Sequence, residues 1–281
     1  MYKIIIDSCG ELNEKMKQDS HFANVPLTLE VDGEDIIDDA SFDQASFLAK
    51  VAASPTGPKS ACPSPSAYMD EMEDAEHIYI VTLSAQLSGS YNSACLAKDL
   101  FEEEHEDEDT EFKVHVFDSK SASIGQTLIG LKIQECEEAG MSFEEVIEAV
   151  DAYIAQQHTF FVLETLETLR KAGRLSNLKA KLASTLNIKP IMGSTEIGSI
   201  QQLGQARGMM KALDKMVECM LEVTQNCEEK VLAISHCNCP ERAKLLMEKV
   251  MAKANFKEIF IVDTQGVSSM YANDGGLIMV V

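Results

Sequence analysis

The chain has 281 residues, 45% of them apolar, and a formal charge of −22 from 24 Lys and Arg against 46 Asp and Glu. That charge repels phosphate backbones and anionic lipid headgroups at long range, which argues against nucleic acid as a partner and against stable membrane insertion. No uncharged apolar run approaches the roughly 18 to 20 residues that span a bilayer, and MYKIIIDS has neither the basic nor the apolar segment of a signal peptide, so a soluble, cytoplasmic protein is expected.

In chain order, short β-rich runs alternate with helical stretches: KIIID (3 to 7), VPLTLEV (25 to 31), IYIVTLS (78 to 84) and VHVFDS (114 to 119). This alternation argues for a parallel sheet. SYNSACLAKDLFEEE and SIGQTLIGLKIQECEEAG have helical spacing and read as crossover helices, the second stopped by Gly140. MSFEEVIEAVDAYIAQQ adds a helix with Ser142 and Glu145 at capping-box spacing. TFFVLE (159 to 164) then opens a second module in a different order. TLETLRKAGR is a short helix ending near Gly173, LKAKLASTLN is another, and IKPIMGS and GSIQQLG pair around TEIG. A long helix (about 207 to 225), KVLAISH, a helix from Pro240, EIFIVDT and GGLIMVV follow, which suggests a mixed sheet. The expectation is an α/β protein of two domains, 1–157 with a parallel-sheet α/β/α core and 158–281 with a mixed sheet, in which segments can interleave. No low-complexity linker separates them, so they should pack closely around a cleft that suits a ligand.

The chemical motifs are sparse. The eight cysteines (9, 62, 95, 136, 219, 227, 237, 239) form no CxxC pair, and reduced thiols are expected. HCNC (236 to 239) lacks a second ligand cluster and reads as a strand end before Pro240 rather than a zinc site. The acidic run EEEHEDEDTE (102 to 111) reads as a solvated helix end and loop. Neither GxxxxGK[ST] nor GxGxxG occurs, which argues against ATP and dinucleotides. LSAQLSGSYNSA (83 to 94) places Ser88 at a strand-to-helix turn, where a serine is either a nucleophile or an anion donor. It lacks the GxSxG elbow, and none of the six histidines sits in a motif that marks a base. Ser88 can instead cap the helix beginning near Ser90, whose first-turn N–H groups favour an anion. PKSACPSPS (58 to 66) reads as a rigid, non-helical loop carrying Ser60 and Ser64 into a helix at Pro65. In KAGRLSN, Gly173 puts Arg174 on a turn, where it is either a surface arginine or a ligand for a carboxylate or phosphate.

Taken together, these segments resemble the DegV family of bacterial lipid-binding proteins over nearly the whole chain. IIIDSCGEL is similar to the family's opening, and VPLTLEVDGE to its second strand and hairpin. PKSACPSPSAY is similar to its Lys-Thr-Ser-x-Pro-Ser segment, TLSAQLSGSYNSA to Leu-Ser-x-x-Leu-Ser-Gly-Thr-Tyr, and VFDSKSASIGQ to its Asp-Ser strand end. LETLRKAGRLS, LNIKPIM and QARGMMKAL follow in the family's order. The resemblance implies a carrier, not an enzyme: one long-chain fatty acid in an apolar tunnel, its carboxylate near the domain seam, offered to a separate ATP-dependent fatty acid kinase subunit. No cofactor or metal is implied.

Carried over by position, Ser60 and Ser88 would bind the carboxylate, Gly89 would allow close approach, and Arg174 and Arg207 would be the basic positions near the head group. The chain departs from the pattern at Ser60 (threonine in the family), at Ala61 (serine) and at Tyr271 to Gly275, which replace His-x-Gly-Pro-Gly. Tyr271 keeps a hydrogen bond but not a cation, and Asp274 adds negative charge. Phe160, Phe161, Leu163 and Leu186 are candidates for the tunnel wall, with ordinary core as the competing reading. The alternatives are a serine-dependent hydrolase or acyltransferase using Ser88, and a regulatory binder of another small apolar anion.

Overall fold

The opening apolar run forms β1 (Tyr2–Asp7), and β2 (Phe22–Val25) pairs parallel to it. β3 (Thr28–Val31) and β4 (Glu34–Ile37) then make a hairpin turned by Asp32 and Gly33, both at positive φ as a tight two-residue turn demands. After α1 (Gln44–Ala53), β5 (Lys59–Ala61) joins the free edge of β3. α2 (Pro65–Met69), β6 (His77–Thr82), α3 (Ser90–Glu104), β7 (Lys113–Asp118), α4 (Ile124–Glu138) and α5 (Phe143–Gln156) follow, then β8 (Thr159–Val162) and α6 (Glu167–Lys171). β9 (Ile188–Ser194), β10 (Ile200–Arg207), α7 (Met209–Val223), β11 (Val231–His236), α8 (Pro240–Met251), β12 (Glu258–Asp263), α9 (Gly266–Ala272) and β13 (Leu277–Val280) complete the order. This is a computed structural model, and it describes residues 1–72, 75–106, 112–175 and 187–281.

One domain is built on a parallel sheet of order β2-β1-β6-β7. Its central strand is buried on both faces, which is why it reads as an unbroken apolar run. Ile4 and Ile6 pack with Ile129 and Ile133 of α4 and Val146 of α5, while Ile5 packs with Tyr68 of α2 and Ala94 and Ala97 of α3. The second domain has a mixed sheet, β10-β9-β8-β13-β11-β12, in which only β11 and β12 pair parallel among the described strands. α7 and α8 cover one face of it around Met216, Leu246 and Leu232. Its other face meets the first domain through α4, where Ile124 and Leu128 pack against Ala233 and Val280.

Four expectations change. VPLTLEV is not one strand: Pro26, which has no N–H for a ladder, separates β2 from β3, and β3 belongs to a three-stranded antiparallel sheet β4-β3-β5. Ser60 lies in β5, opposite Leu29, rather than in an irregular loop. The Ncap of α3 is Gly89, one residue after Ser88. Two helices, α1 and α9, were not anticipated. The crossover helices, the Gly140 stop at φ 74° and the Ser142–Glu145 capping box are as expected. The helix read in LKAKLASTLN lies almost wholly outside the described residues, as does Leu186.

Candidate functional site: an apolar cavity at the seam

The carboxyl ends of β1, β6 and β7 point toward the mixed sheet, and their loops form one wall of a cavity, the location usual for ligands in open α/β sheets. Leu83, Leu87 and Ser88 follow β6; Lys120 to Ser123 follow β7. The mixed sheet contributes Phe161, Leu163, Ile200 and Ile278, and α9 contributes Val267, Ser268, Tyr271 and Ala272. About 870 Å³ of atom-free space lies between these walls, part of it open to solvent. Of the proposed tunnel residues, Phe161 and Leu163 line it, whereas Phe160 points to the opposite face into the core with α7. The two walls are clipped together. Ser84 Oγ donates to the Gly198 carbonyl (2.9 Å), and the Ser121 and Thr159 hydroxyls are 2.6 Å apart. Gly198 has φ 83°, and a side chain there would collide with the Ser84 hydroxyl, so the β9–β10 turn needs glycine twice over.

Four of the six expected site residues share this cavity: Ser60, Ser88, Arg174 and Tyr271. Ser60 Oγ and Tyr271 Oη are 3.4 Å apart, so the three-stranded sheet and α9 bring two hydroxyls to one place. Ser88 Oγ accepts the Ser90 N–H (3.2 Å) and lies 3.0 Å from Ser90 Oγ. Gly173, at φ 77°, ends α6, and Arg174 is then anchored by donating Nε–H to the Leu87 carbonyl (3.1 Å) and an Nη1–H to the Ala172 carbonyl (2.6 Å). These bonds fix a guanidinium beside the Ser88 loop. Gly89 is not part of the wall; its φ is −77°, and its bare Cα instead lets Cys62 approach, with Sγ 3.2 Å from where a Cβ would stand. Arg207, exposed at the end of β10 opposite Ile188, lies outside the cavity.

Sequence reasoning missed a set of buried carboxylates beneath the same walls. Asp38 accepts from the Gly266 and Val267 N–H groups (2.6 and 2.9 Å) and from Ser8 Oγ (2.9 Å), pinning the N-terminus of α9 and hence Tyr271. Glu11 accepts from Ser123 Oγ (2.8 and 3.0 Å), which holds Ser123 at φ 57°, ψ −136°, a strained position for a side-chain-bearing residue. Ser123 Oγ also meets Ser235 Oγ of β11 at 2.8 Å, so this contact ties the domains together. Asp7 accepts from Leu83 N–H (2.8 Å), Gln126 Nε2 (2.9 Å) and Cys9 N–H (3.2 Å). Burial pushes Asp7 and Asp38 up to about 6 and Glu11 up to about 7, against hydrogen bonds that favour the charged forms. For Asp7 and Glu11 the signal was present in IIIDSCGEL, as two acids at and just after the end of an apolar strand.

With the geometry in view, comparison with known proteins is decisive. A family model described as "Uncharacterised protein, DegV family" matches residues 1–280. The chain belongs to the DegV family. A DegV domain-containing protein of Streptococcus pneumoniae (strain ATCC BAA-255 / R6) is 35% identical over 280 residues, covering 99% of this chain and 98% of that one. The DegV family protein of Ruminococcus gnavus ATCC 29149, refined with vaccenic acid, is 54% identical with a TM-score of 0.95, covering 100% and 99% of the two chains. The fatty acid kinase B3 protein of Streptococcus pneumoniae, loaded with linoleic acid, is 33% identical with a TM-score of 0.88, covering 100% and 98%.

The rival chemistries find little support in this DegV-family chain. Among the described residues the Ser88 hydroxyl pairs with Ser90, not with a histidine. In HCNC, the Cys237 and Cys239 thiols donate to the Ser269 and Gly276 carbonyls, and burial raises both thiol pKa values, Cys239 to about 11. No group of metal-ligating side chains occurs among the described residues, and none of their helices is long and apolar enough to cross a membrane.

Proposed function

We propose that this protein holds one long-chain fatty acid in the seam cavity and offers its carboxylate to a separate ATP-dependent kinase, without itself catalysing the transfer. The observation that carries the reading is the coincidence of an apolar cavity with one cluster of donors, Ser60, Tyr271, Ser88 and Arg174, drawn from four separate elements. Burying about 14 methylenes at roughly 0.8 kcal/mol each gives on the order of 11 kcal/mol gross, which offsets the cost of immobilising the chain. The head group then needs partners, since a buried carboxylate without them costs several kcal/mol. Two hydroxyl pairs and an anchored arginine meet that need. The relatives bearing vaccenic and linoleic acid support the ligand class, and the kinase B3 relative supports the partner.

Denaturing mass spectrometry of the purified protein should find a co-purified long-chain fatty acid. Finding none, with no rise in melting temperature on adding oleate, would overturn the reading. Presentation is tested separately, by adding ATP and a bacterial fatty acid kinase catalytic subunit to oleate-loaded protein and looking for acyl phosphate.

A further inference from the structure

Two of the head-group donors reach the cavity from helices that meet outside it. Tyr271 lies in α9, and Arg174 follows α6 just after the Gly173 turn. The two helices are joined by the carboxamide of Asn273, the residue that caps the end of α9. Its Nδ2–H donates to the Tyr271 carbonyl (2.9 Å), one of the groups a helix end leaves without a partner of its own. A carbonyl can only accept, so this contact fixes the orientation of the amide and leaves its oxygen to the Thr168 hydroxyl of α6, which donates to Asn273 Oδ1 at 3.2 Å. Among the described residues no other hydrogen bond links α6 to α9 or its cap. Asn273 itself is not part of the cavity wall.

The link is made against the preference of the backbone. Asn273 has φ 57° and ψ 168°, a combination that glycine adopts freely and a residue with a Cβ does not. Glycine here would relax the chain and supply neither hydrogen bond, so the side chain offsets its strain only through what it ties together. Leu169 of α6 and Ala272 of α9 already share an apolar cluster, with Tyr271 packed against it. Apolar contact is non-directional and leaves the helices free to slide, whereas the Asn273 carboxamide sets their register. Beyond α6 the guanidinium of Arg174 is fixed to the Ala172 and Leu87 carbonyls. A shift of α6 along α9 therefore moves the Arg174 donors relative to the Tyr271 hydroxyl. We propose that Asn273 is a positioning residue that holds Tyr271 and Arg174 at the spacing at which both donate to one carboxylate.

The inference rests on the fatty-acid reading, and the two fail separately. Delipidated protein is titrated with oleate and with its methyl ester, which has the same chain but no charge. If the wild type binds neither, the carrier reading falls and this inference with it. If it binds oleate, Asn273→Gly is expected to weaken oleate roughly tenfold and to change the ester by less than about twofold. Its melting temperature should hold, because glycine suits the backbone that the lost hydrogen bonds had restrained. Thr168→Val breaks the same link with the Asn273 backbone untouched and should weaken oleate to a similar extent, while Thr168→Ser keeps the hydroxyl and should bind like the wild type. A double-mutant cycle separates positioning from a merely structural role: Tyr271→Phe should weaken oleate severalfold in the wild type and hardly at all in Asn273→Gly, whose tyrosine is no longer aimed. An unchanged oleate affinity in Asn273→Gly or in Thr168→Val, or equal losses for acid and ester, overturns the proposal. So does a Tyr271→Phe loss as large in Asn273→Gly as in the wild type.

Discussion

Ser88→Ala isolates the head group from the rest of the cavity. The substitution removes one donor to the proposed carboxylate, one acceptor for the Ser90 N–H and the partner of the Ser90 hydroxyl. A hydrogen bond to a charged group contributes about 1.5–3 kcal/mol, so oleate should bind roughly 10- to 100-fold more weakly. The low end is expected if Ser60, Tyr271 and Arg174 take up the freed carboxylate oxygen. Fold stability should fall by no more than about 1 kcal/mol, the worth of a helix-end acceptor. The acyl chain still buries on the order of 11 kcal/mol of apolar surface, so the variant keeps measurable affinity rather than losing it. Calorimetric titration of delipidated protein measures the affinity, and a thermal melt reports the fold. If Ser88→Ala binds oleate within about twofold of wild type while Ser60→Ala and Tyr271→Phe weaken it, the carboxylate sits at the other hydroxyl pair and Ser88 is only a turn residue.

Arg207→Ala is the complementary control: exposed and outside the cavity, it should leave oleate affinity within about twofold, and a larger loss would show that the head group extends beyond the cavity. Glu11→Gln tests the buried acid at the seam. Its folded pKa, about 7, lies above the ordinary 4.5, so the protonated form contributes stability that is fully present below about 4.5 and lost as pH rises through 7. The wild type should therefore lose on the order of 3 kcal/mol relative to Glu11→Gln between about pH 4.5 and pH 8, and parallel stability curves in denaturant would refute the assignment. Gly198→Ala forces a Cβ into a left-handed turn and into the Ser84 hydroxyl, within 2.8 Å of Lys120 Cα. It should cost about 2 kcal/mol or more and lower the melting temperature by several degrees, and an unchanged melt would mean the seam is not clipped there.

The regular part of the fold was legible because it obeys local rules. Ile4–Ile6 is apolar on both faces as a central parallel strand must be, and Ser142 and Glu145 announce their helix by spacing. What escaped was local structure imposed by distant partners. α9 has little amphipathic pattern, and its seven residues are helical where Asp38, over two hundred residues earlier, accepts its first N–H groups. Ser60 reads as loop because the four residues between Pro58 and Pro63 carry no strand signal, yet β3 offers Lys59–Ala61 a free edge. The site shows the same limit. Resemblance could pair Ser60 with Ser88 and Arg174, but Arg207 matched its motif equally well and still falls outside the cavity, because a strand end fixes which way it faces.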